Sequence, residues 1–233
     1  MPTPIKILDL YLVRHGESTG NIGREDEFDD DRKFDHPLSP RGERQAQLVG
    51  EYFSALPVDC ILSSGLRRSV HTAHEIAVHQ PENGAKQVEV HKIFTECNTG
   101  EETVGRTIDE IKKDFPLAVS ALGTDASERV IFHGKDDTDE QLLARGKEGI
   151  DYILNRFHNG ETVLVAAHGA INTFLLFAAL GLSHEQSFDP SFFNTGITKI
   201  EFFKKGTGLF SDTHLIYHNI VPHLYKEMPE FNF

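Results

Sequence analysis

The run TVLVAA, Thr162 to Ala167, is apolar after its first residue and leads within three residues into a longer, mostly apolar stretch, Ala170 to Leu180. A short apolar run without polar alternation reads as a strand buried on both faces. The longer stretch reads as the helix that follows it, ending near Gly181. The same succession recurs along the chain. Ile5 to Val13 is a first apolar strand. Ser39-Pro40 supplies an N-cap and a proline at the first helical position, and Val49, Tyr52, Phe53 and Leu56 follow at helical spacing before Pro57. Asp59 to Ser63 is a short buried strand, followed by a helix from about Leu66 to His79. Lys86 to Phe94 alternates as a strand, Thr107 to Phe115 is a short helix, and Pro116 to Lys135 shows no regular period. Leu143, Ile150, Ile153, Leu154 and Phe157 form a helical stripe within Asp137 to Phe157, and Ile197 to Phe203 and His214 to His218 are two further strands.

Strands alternating with helices require crossover connections. The expected fold is therefore α/β: a three-layer α/β/α sandwich around a mostly parallel central sheet. With no repeat and no long linker, residues 1–233 are expected to form a single domain. Ligands of such sheets sit at the carboxyl ends of the strands, so candidate chemistry should lie just after strands.

Four strand ends carry that chemistry. The first strand runs into Arg14-His15-Gly16-Glu17, and the Asp59–Ser63 strand opens into Ser64-Gly65-Leu66-Arg67-Arg68. The 86–94 strand leads to Thr95-Glu96, and TVLVAA leads to His168-Gly169. Each is a weak signal alone. Together they put two histidines, several arginines and a carboxylate on one sheet edge.

That set suits phosphoryl transfer through histidine. A neutral imidazole can form a covalent intermediate and split one displacement into two. The transferring group needs fixed positive donors at its equatorial oxygens, and the arginine fork supplies them. A carboxyl group near the leaving oxygen can serve as general acid. Gly16 and Gly169 would let backbone approach the ligand without a Cβ in the way.

The formal charge of −13 argues against nucleic-acid binding, because no Lys/Arg cluster offsets it. It also means that an anionic substrate needs a local positive pocket built from a few placed arginines. The longest strongly apolar stretch, Phe174 to Leu182, falls far short of the roughly 20 residues that cross a bilayer. Two cysteines, Cys60 and Cys97, are too few for a disulfide framework and suit a reducing compartment. The N-terminal run reads as a strand rather than a signal peptide. These features are those of a soluble cytoplasmic protein that binds neither membrane nor nucleic acid. No H-x-H or H-E-x-x-H spacing occurs, so no metal or other cofactor is expected.

RHGES followed by Asn21, then SSGLRRSVHTA (Ser63 to Ala73), then AAHGA (Ala166 to Ala170), resembles the histidine phosphatase superfamily, the phosphoglycerate mutase-like clan. LSPRGERQA, Leu38 to Ala46, is similar to the first helix of that family. The resemblance covers about residues 5 to 200. It implies that His15 is a nucleophile that becomes phosphohistidine, and that Arg14 and Arg68 bind the phosphoryl oxygens. It also implies that His168 donates to the transferred group beside Gly169, and that Asn21 lines the substrate site. In the L-x-R-x-x-x-T-A register the pocket arginine is Arg68, which leaves Arg67 as a solvated side chain. Glu96 matches the family's acid/base. The usual tryptophan that follows is missing, since the chain has no tryptophan, so Glu101 and Glu102 stand as rivals.

Family mutases carry a basic run after the acid glutamate, where this chain has the acidic and polar CNTGEETVGRTIDE. The expected activity is therefore hydrolysis of a small phosphorylated metabolite, with phosphoglycerate mutase-type transfer as the alternative. A metal-dependent phosphoesterase and an inactive binding protein on the same fold are the readings from other classes. Phe188, Phe192 and Phe193 suit the core or the pocket wall. The tail Tyr225 to Phe233 suits docking onto the body of the chain or onto a second copy in a homodimer. Glu17 and Ser18 are expected to shape the turn rather than do chemistry.

Overall fold

Among the described residues, seven strands form one sheet in the order β5-β3-β2-β7-β1-β8-β9. In chain order they are β1 (Lys6–Arg14), β2 (Cys60–Ser63), β3 (Val88–Val90), β5 (Ala118–Ser120), β7 (Glu161–Ala167), β8 (Ile197–Phe203) and β9 (Thr213–Ile220). The strands β4 (Thr103–Val104) and β6 (Ile131–Phe132) make a separate antiparallel pair. The helices are α1 (Pro40–Phe53), α2 (Arg67–His79), α3 (Ile108–Asp114), α4 (Asp139–Arg156) and α5 (Gly169–Leu180). This computed structural model describes residues 3–23, 35–97, 103–125, 127, 129, 131–132, 137–185, 190–208, 211–228 and 230.

The five strands from β5 to β1 run parallel, while β8 and β9 add antiparallel pairings. Period-two alternation divides each central strand between two cores. Leu8, Leu10 and Leu12 of β1, with Val163 and Val165 of β7, face Ile150, Ile153, Leu175 and Leu176 of α4 and α5. Tyr11, Val13, Leu164 and Ala166 face Val49 and Phe53 of α1, Val70 and Ile76 of α2, and Ile108 and Ile111 of α3. The result is the expected three-layer α/β/α sandwich with a mostly parallel sheet.

The helix starts follow the sequence signals. Ser39 accepts a hydrogen bond from Gly42 N ahead of Pro40, and Thr107 and Thr138 cap α3 and α4 with reciprocal capping boxes. Gly181 closes α5 in the left-handed conformation at φ 68°.

Two expectations need correction. The 86–94 strand stops at Val90, because the His91 side chain accepts from Ile93 N and caps a 3-10 turn over Lys92–Phe94. That turn carries Phe94 into the α4/α5 core, on the opposite side of the sheet from Val88 and Val90. The aperiodic 116–135 stretch is not wholly irregular, since it contains β5 and β6. Strands of three and two residues are too short to show a period.

The parallel sheet fixes where the site lies. β7 sits between β2 and β1, with Ala167 opposite Arg14 and Ala166 opposite Ser63. Three carboxyl ends are therefore side by side in mid-sheet, where the chain order reverses. Among the described residues, no helix is long and apolar enough to cross a membrane.

Candidate active site

His15 follows β1 and is 2 % exposed. Its Nδ1 lies 2.6 Å from the carbonyl oxygen of Gly16, an acceptor, so Nδ1 carries the proton. Nε2 is then a lone pair, and Arg68 Nε donates to it at 3.2 Å. Burial pushes the His15 pKa well below 6.5, and the nearby Arg68 and Arg14 charges push it further. The imidazole is held neutral, oriented and unprotonated at Nε2.

The ring of His168 stands 5.1 Å from that of His15, edge to face. His168 is fully buried at the N-cap of α5. Its Nε2 is 2.6 Å from Ser64 Oγ, which also accepts from Leu66 N. Among the described residues the Ser64 hydroxyl has no other acceptor within hydrogen-bond distance, so its proton is assigned to Nε2 and the remaining ring proton to Nδ1. Burial, then the Arg68 charge, holds the His168 pKa well below 6.5.

Arg14 Nη1 donates to the carbonyl of Phe192 at 2.6 Å. Burial lowers the pKa values of Arg14 and Arg68, and the Glu96 carboxylate opposes that shift at both, with Asp35 adding its charge at Arg68. Arg14 Nε, Arg68 Nη1 and His168 Nδ1 are buried polar atoms without a hydrogen-bond partner among the described residues. Buried donors left unmet cost about 1–3 kcal/mol each. Three of them around one imidazole suit an oxyanion with several acceptor atoms.

Gly169 stands in front of Arg14. An added Cβ would meet only Arg14 Nε and Cζ, at 3.8 and 3.9 Å, so the missing side chain keeps the guanidinium face open. Gly16 has a different reason from the expected one. Its added Cβ would lie 2.5 Å from Gly42 O, so the residue is small to let the loop pack on α1 rather than to admit ligand. Gly42 is tighter still, with its added Cβ 1.8 Å from Glu17 O.

Glu96 is half-buried, with its carboxylate over the start of α5. Oε1 accepts from Cys97 N at 2.9 Å and Ile171 N at 3.2 Å, and Oε2 from Ala170 N at 3.4 Å. A carboxylate suits that place, where helical N–H groups lack internal partners. Glu101 and Glu102, its rivals, lie outside the described residues. Asn21 is exposed on the 3-10 turn after the loop, and its Oδ1 accepts from Ser18 N at 3.0 Å and Asn194 Nδ2 at 3.4 Å. The carbonyl half of Asn21 is thus committed to the turn, and its amide nitrogen is the half that can serve a ligand.

Glu17 and Ser18 shape the turn. Ser39 Oγ donates to Glu17 Oε1 at 2.6 Å, Gln45 Oε1 accepts from Glu17 N at 2.8 Å, and Ser18 bridges to Leu38. Cys97, beside the site, has its thiol pKa pushed up to about 11 by burial and the Glu96 charge, which disqualifies it as a nucleophile.

Arg67 is not solvated. Its Nε lies 3.5 Å from Asp35 and its Nη1 3.1 Å from Asp114. Arg106 shares both carboxylates at 3.3 and 2.8 Å. Asp35 is only 4 % exposed, and it accepts from Arg67 N at the start of α2.

Several residues at the site were not singled out from sequence. Ser64 orients His168. Thr72 Oγ1 accepts from Gly16 N at 3.0 Å and donates to Arg68 O at 2.8 Å, joining the nucleophile loop to α2. It is the threonine of the L-x-R-x-x-x-T-A pattern, so a signal existed. Arg145 Nη2 reaches the Glu96 carbonyl at 3.4 Å. Phe192 is a core residue whose carbonyl holds Arg14, Phe193 is 38 % exposed, and Phe188 lies outside the described residues.

The loop ahead of β8 braces the nucleophile. Asn194 Nδ2 donates to His15 O at 3.0 Å, and Thr195 N donates to Arg14 O at 3.0 Å and His15 O at 3.3 Å. Thr195 is fully buried with φ 56°. A β-branched residue in the left-handed region costs about 1–3 kcal/mol and persists only where its surroundings enforce it. Among the described residues, no group of three or more His, Cys, Asp or Glu side chains is arranged to hold a metal ion.

The chain resembles the Entamoeba histolytica phosphoserine phosphatase solved with 3-phosphoglyceric acid, at 24 % identity and TM-score 0.63, over 94 % of this chain and 100 % of that one. It resembles Bacillus stearothermophilus YhfR at 25 % identity and TM-score 0.64, over 93 % and 99 % of the two chains. A 71-residue stretch is 42 % identical to the Salmonella choleraesuis protein named "Probable phosphoglycerate mutase GpmB", covering 30 % of this chain and 31 % of that protein. That match spans about a third of the curated relative's length. The model of the histidine phosphatase superfamily, branch 1, matches residues 10–211. With most of its length matched, the chain belongs to the histidine phosphatase superfamily.

Proposed function

We propose that this protein is a phosphatase that hydrolyses small phosphate monoesters through a phosphohistidine on His15. The observation that carries the reading is the Nδ1 bond of His15 to Gly16 O, which leaves a buried Nε2 lone pair beside Arg68.

In the first step Nε2 attacks phosphorus in line, and the N–P bond forms as the bond to the leaving oxygen breaks. The electron pair of that bond goes to the leaving oxygen, which takes a proton from the Glu96 carboxyl. Arg14, Arg68 and the Nδ1–H of His168 donate to the three equatorial oxygens. In the second step water attacks, Glu96 takes its proton, and the N–P electron pair returns to Nε2 as phosphate leaves. The Nδ1–H of His15 stays with Gly16 O throughout and balances charge on the phosphorylated ring.

Hydrolysis is favoured over mutase transfer by the sequence after Glu96. CNTGEETVGRTIDE offers little positive charge for the second anionic group of a phosphorylated sugar acid. The similarity to phosphoserine phosphatase and to mycobacterial glucosyl-3-phosphoglycerate phosphatase, at 22 % identity, supports the fold that such chemistry uses.

Rapid quench with a phosphate monoester labelled on its phosphorus should trap an acid-labile, base-stable phosphoenzyme, absent in His15→Ala. Full activity in that variant would refute the mechanism. Phosphate release across a monoester panel, run beside phosphoglycerate isomerisation and with a chelator present, should show chelator-insensitive hydrolysis. Isomerisation faster than hydrolysis would reverse the choice.

A further inference from the structure

The segment that follows β9 reaches back to the loop that braces His15. Its residues Val221, Leu224 and Met228 pack against Leu48 of α1. Arg44 Nε pairs with Glu227 at 2.7 Å, and Arg41 with Glu230, which fasten the segment to the same helix. Two side chains of this region touch the brace. Asn219 Oδ1 accepts from Phe193 N at 2.7 Å, and His223 Nε2 lies 2.9 Å from Thr195 Oγ1.

The second contact has a defined direction. Thr195 Oγ1 donates its own proton to Asn194 O at 2.7 Å. It can only accept from His223, so His223 carries its proton on Nε2. Nδ1 of that ring is buried and without a partner among the described residues. The His223 ring packs against Tyr52 of α1, with centroids 6.1 Å apart, and its Nε2 holds the hydroxyl of a threonine whose backbone is left-handed and whose N–H reaches Arg14 O and His15 O.

We propose that His223 is a positioning residue for His15, acting through Thr195. The inference rests on the proposed function for its kinetic meaning, but not for its structural one. The chain of contacts runs from α1 through His223 and Thr195 to the backbone of the nucleophile. Without the Nε2–H donor, the only side-chain donor at the Thr195 hydroxyl among the described residues is gone and φ can relax. The His15 carbonyl then shifts, and with it the angle at which Nε2 meets phosphorus.

The test compares His223→Ala, His223→Gln and Thr195→Gly, alone and combined, with urea midpoints confirming that the assayed protein is folded. Misplacing a reacting atom by an ångström costs up to about 100-fold. His223→Ala should lower kcat by about 10- to 100-fold with KM within about twofold. His223→Gln, whose amide can still donate, should recover part of that loss. Glycine adopts the left-handed conformation without strain, so in the Thr195→Gly background His223→Ala should cause no further loss. A folded His223→Ala protein with wild-type kcat, a loss confined to KM, or an equal loss in the Thr195→Gly background would each overturn the proposal.

An activity-free arm separates this inference from the functional reading. Long-range proton–nitrogen spectra of the His15 ring should shift in His223→Ala and not in Arg156→Lys, which lies outside the site. If the wild-type protein formed no phosphohistidine, the functional reading would fall. Unshifted His15 signals in His223→Ala would separately sink the positioning role.

Discussion

Arg68 Nε donates to His15 Nε2 at 3.2 Å, so the guanidinium that is to clamp the phosphoryl group also aims the atom that attacks it. The bond needs an N–H on the stem side of the fork. Arg68→Lys keeps the charge but loses both that donor and the planar match to phosphoryl oxygens. It should lower kcat by about 100-fold or more, as removal of a transition-state donor does, with the urea midpoint nearly unchanged. Rapid-quench phosphorylation rates would check this, and a loss under about threefold would mean that charge alone suffices.

Ser64 fixes the tautomer of His168. In Ser64→Ala the ring can carry its proton on either nitrogen, so Nδ1–H no longer faces the phosphoryl group in every molecule. The expected cost is about 10-fold in kcat at unchanged KM, with about 1 kcal/mol of stability from the lost hydrogen bond. Steady-state kinetics together with urea titration would separate the two effects.

Gly42 places its Cα against the carbonyl of Glu17, where a Cβ would sit 1.8 Å from Glu17 O. Backbone on both sides cannot yield cheaply. Gly42→Ala should push the nucleophile loop away from α1, lowering stability by about 1–3 kcal/mol, the range for overpacking, and lowering activity with it. A fully active, equally stable Gly42→Ala protein would show that the loop tolerates displacement.

Burial lowers the pKa of His223 to about 3, and those of His15 and His168 well below 6.5. The unfolded chain binds these protons below about 6.5, whereas the folded chain does not until far lower pH. Stability from these groups is therefore complete above pH 6.5 and falls as pH drops, for His223 down to about 3. His223 contributes a slope of about 1.4 kcal/mol per pH unit in that window. Urea unfolding between pH 7.5 and 4.5 should show His223→Gln with a shallower slope than wild type by about that amount. Inorganic phosphate, an anion against His15 and His168, should flatten the wild-type slope further.

The sequence was enough to place Arg14, His15, Arg68 and His168 on one edge. Strand periodicity located β1, β2 and β7, and a parallel sheet brings its carboxyl ends together whatever the details of packing. Helix caps were legible for the same reason: Ser39-Pro40 and Gly181 act through local backbone geometry. What it left unread depends on residues that meet across long separations. Arg67 looked solvated because its partners, Asp35 and Asp114, lie 32 and 47 positions away. Ser64 and His168 are 104 apart. His91 ends β3 with a side-chain bond that no alternation pattern contains. Short-range order is written in neighbouring residues, so the chain alone set the strands, the helices and the chemistry at their ends. Proton positions, the brace on His15 and the reasons for Gly16 and Gly42 arise only where distant segments touch, and tertiary structure decided those.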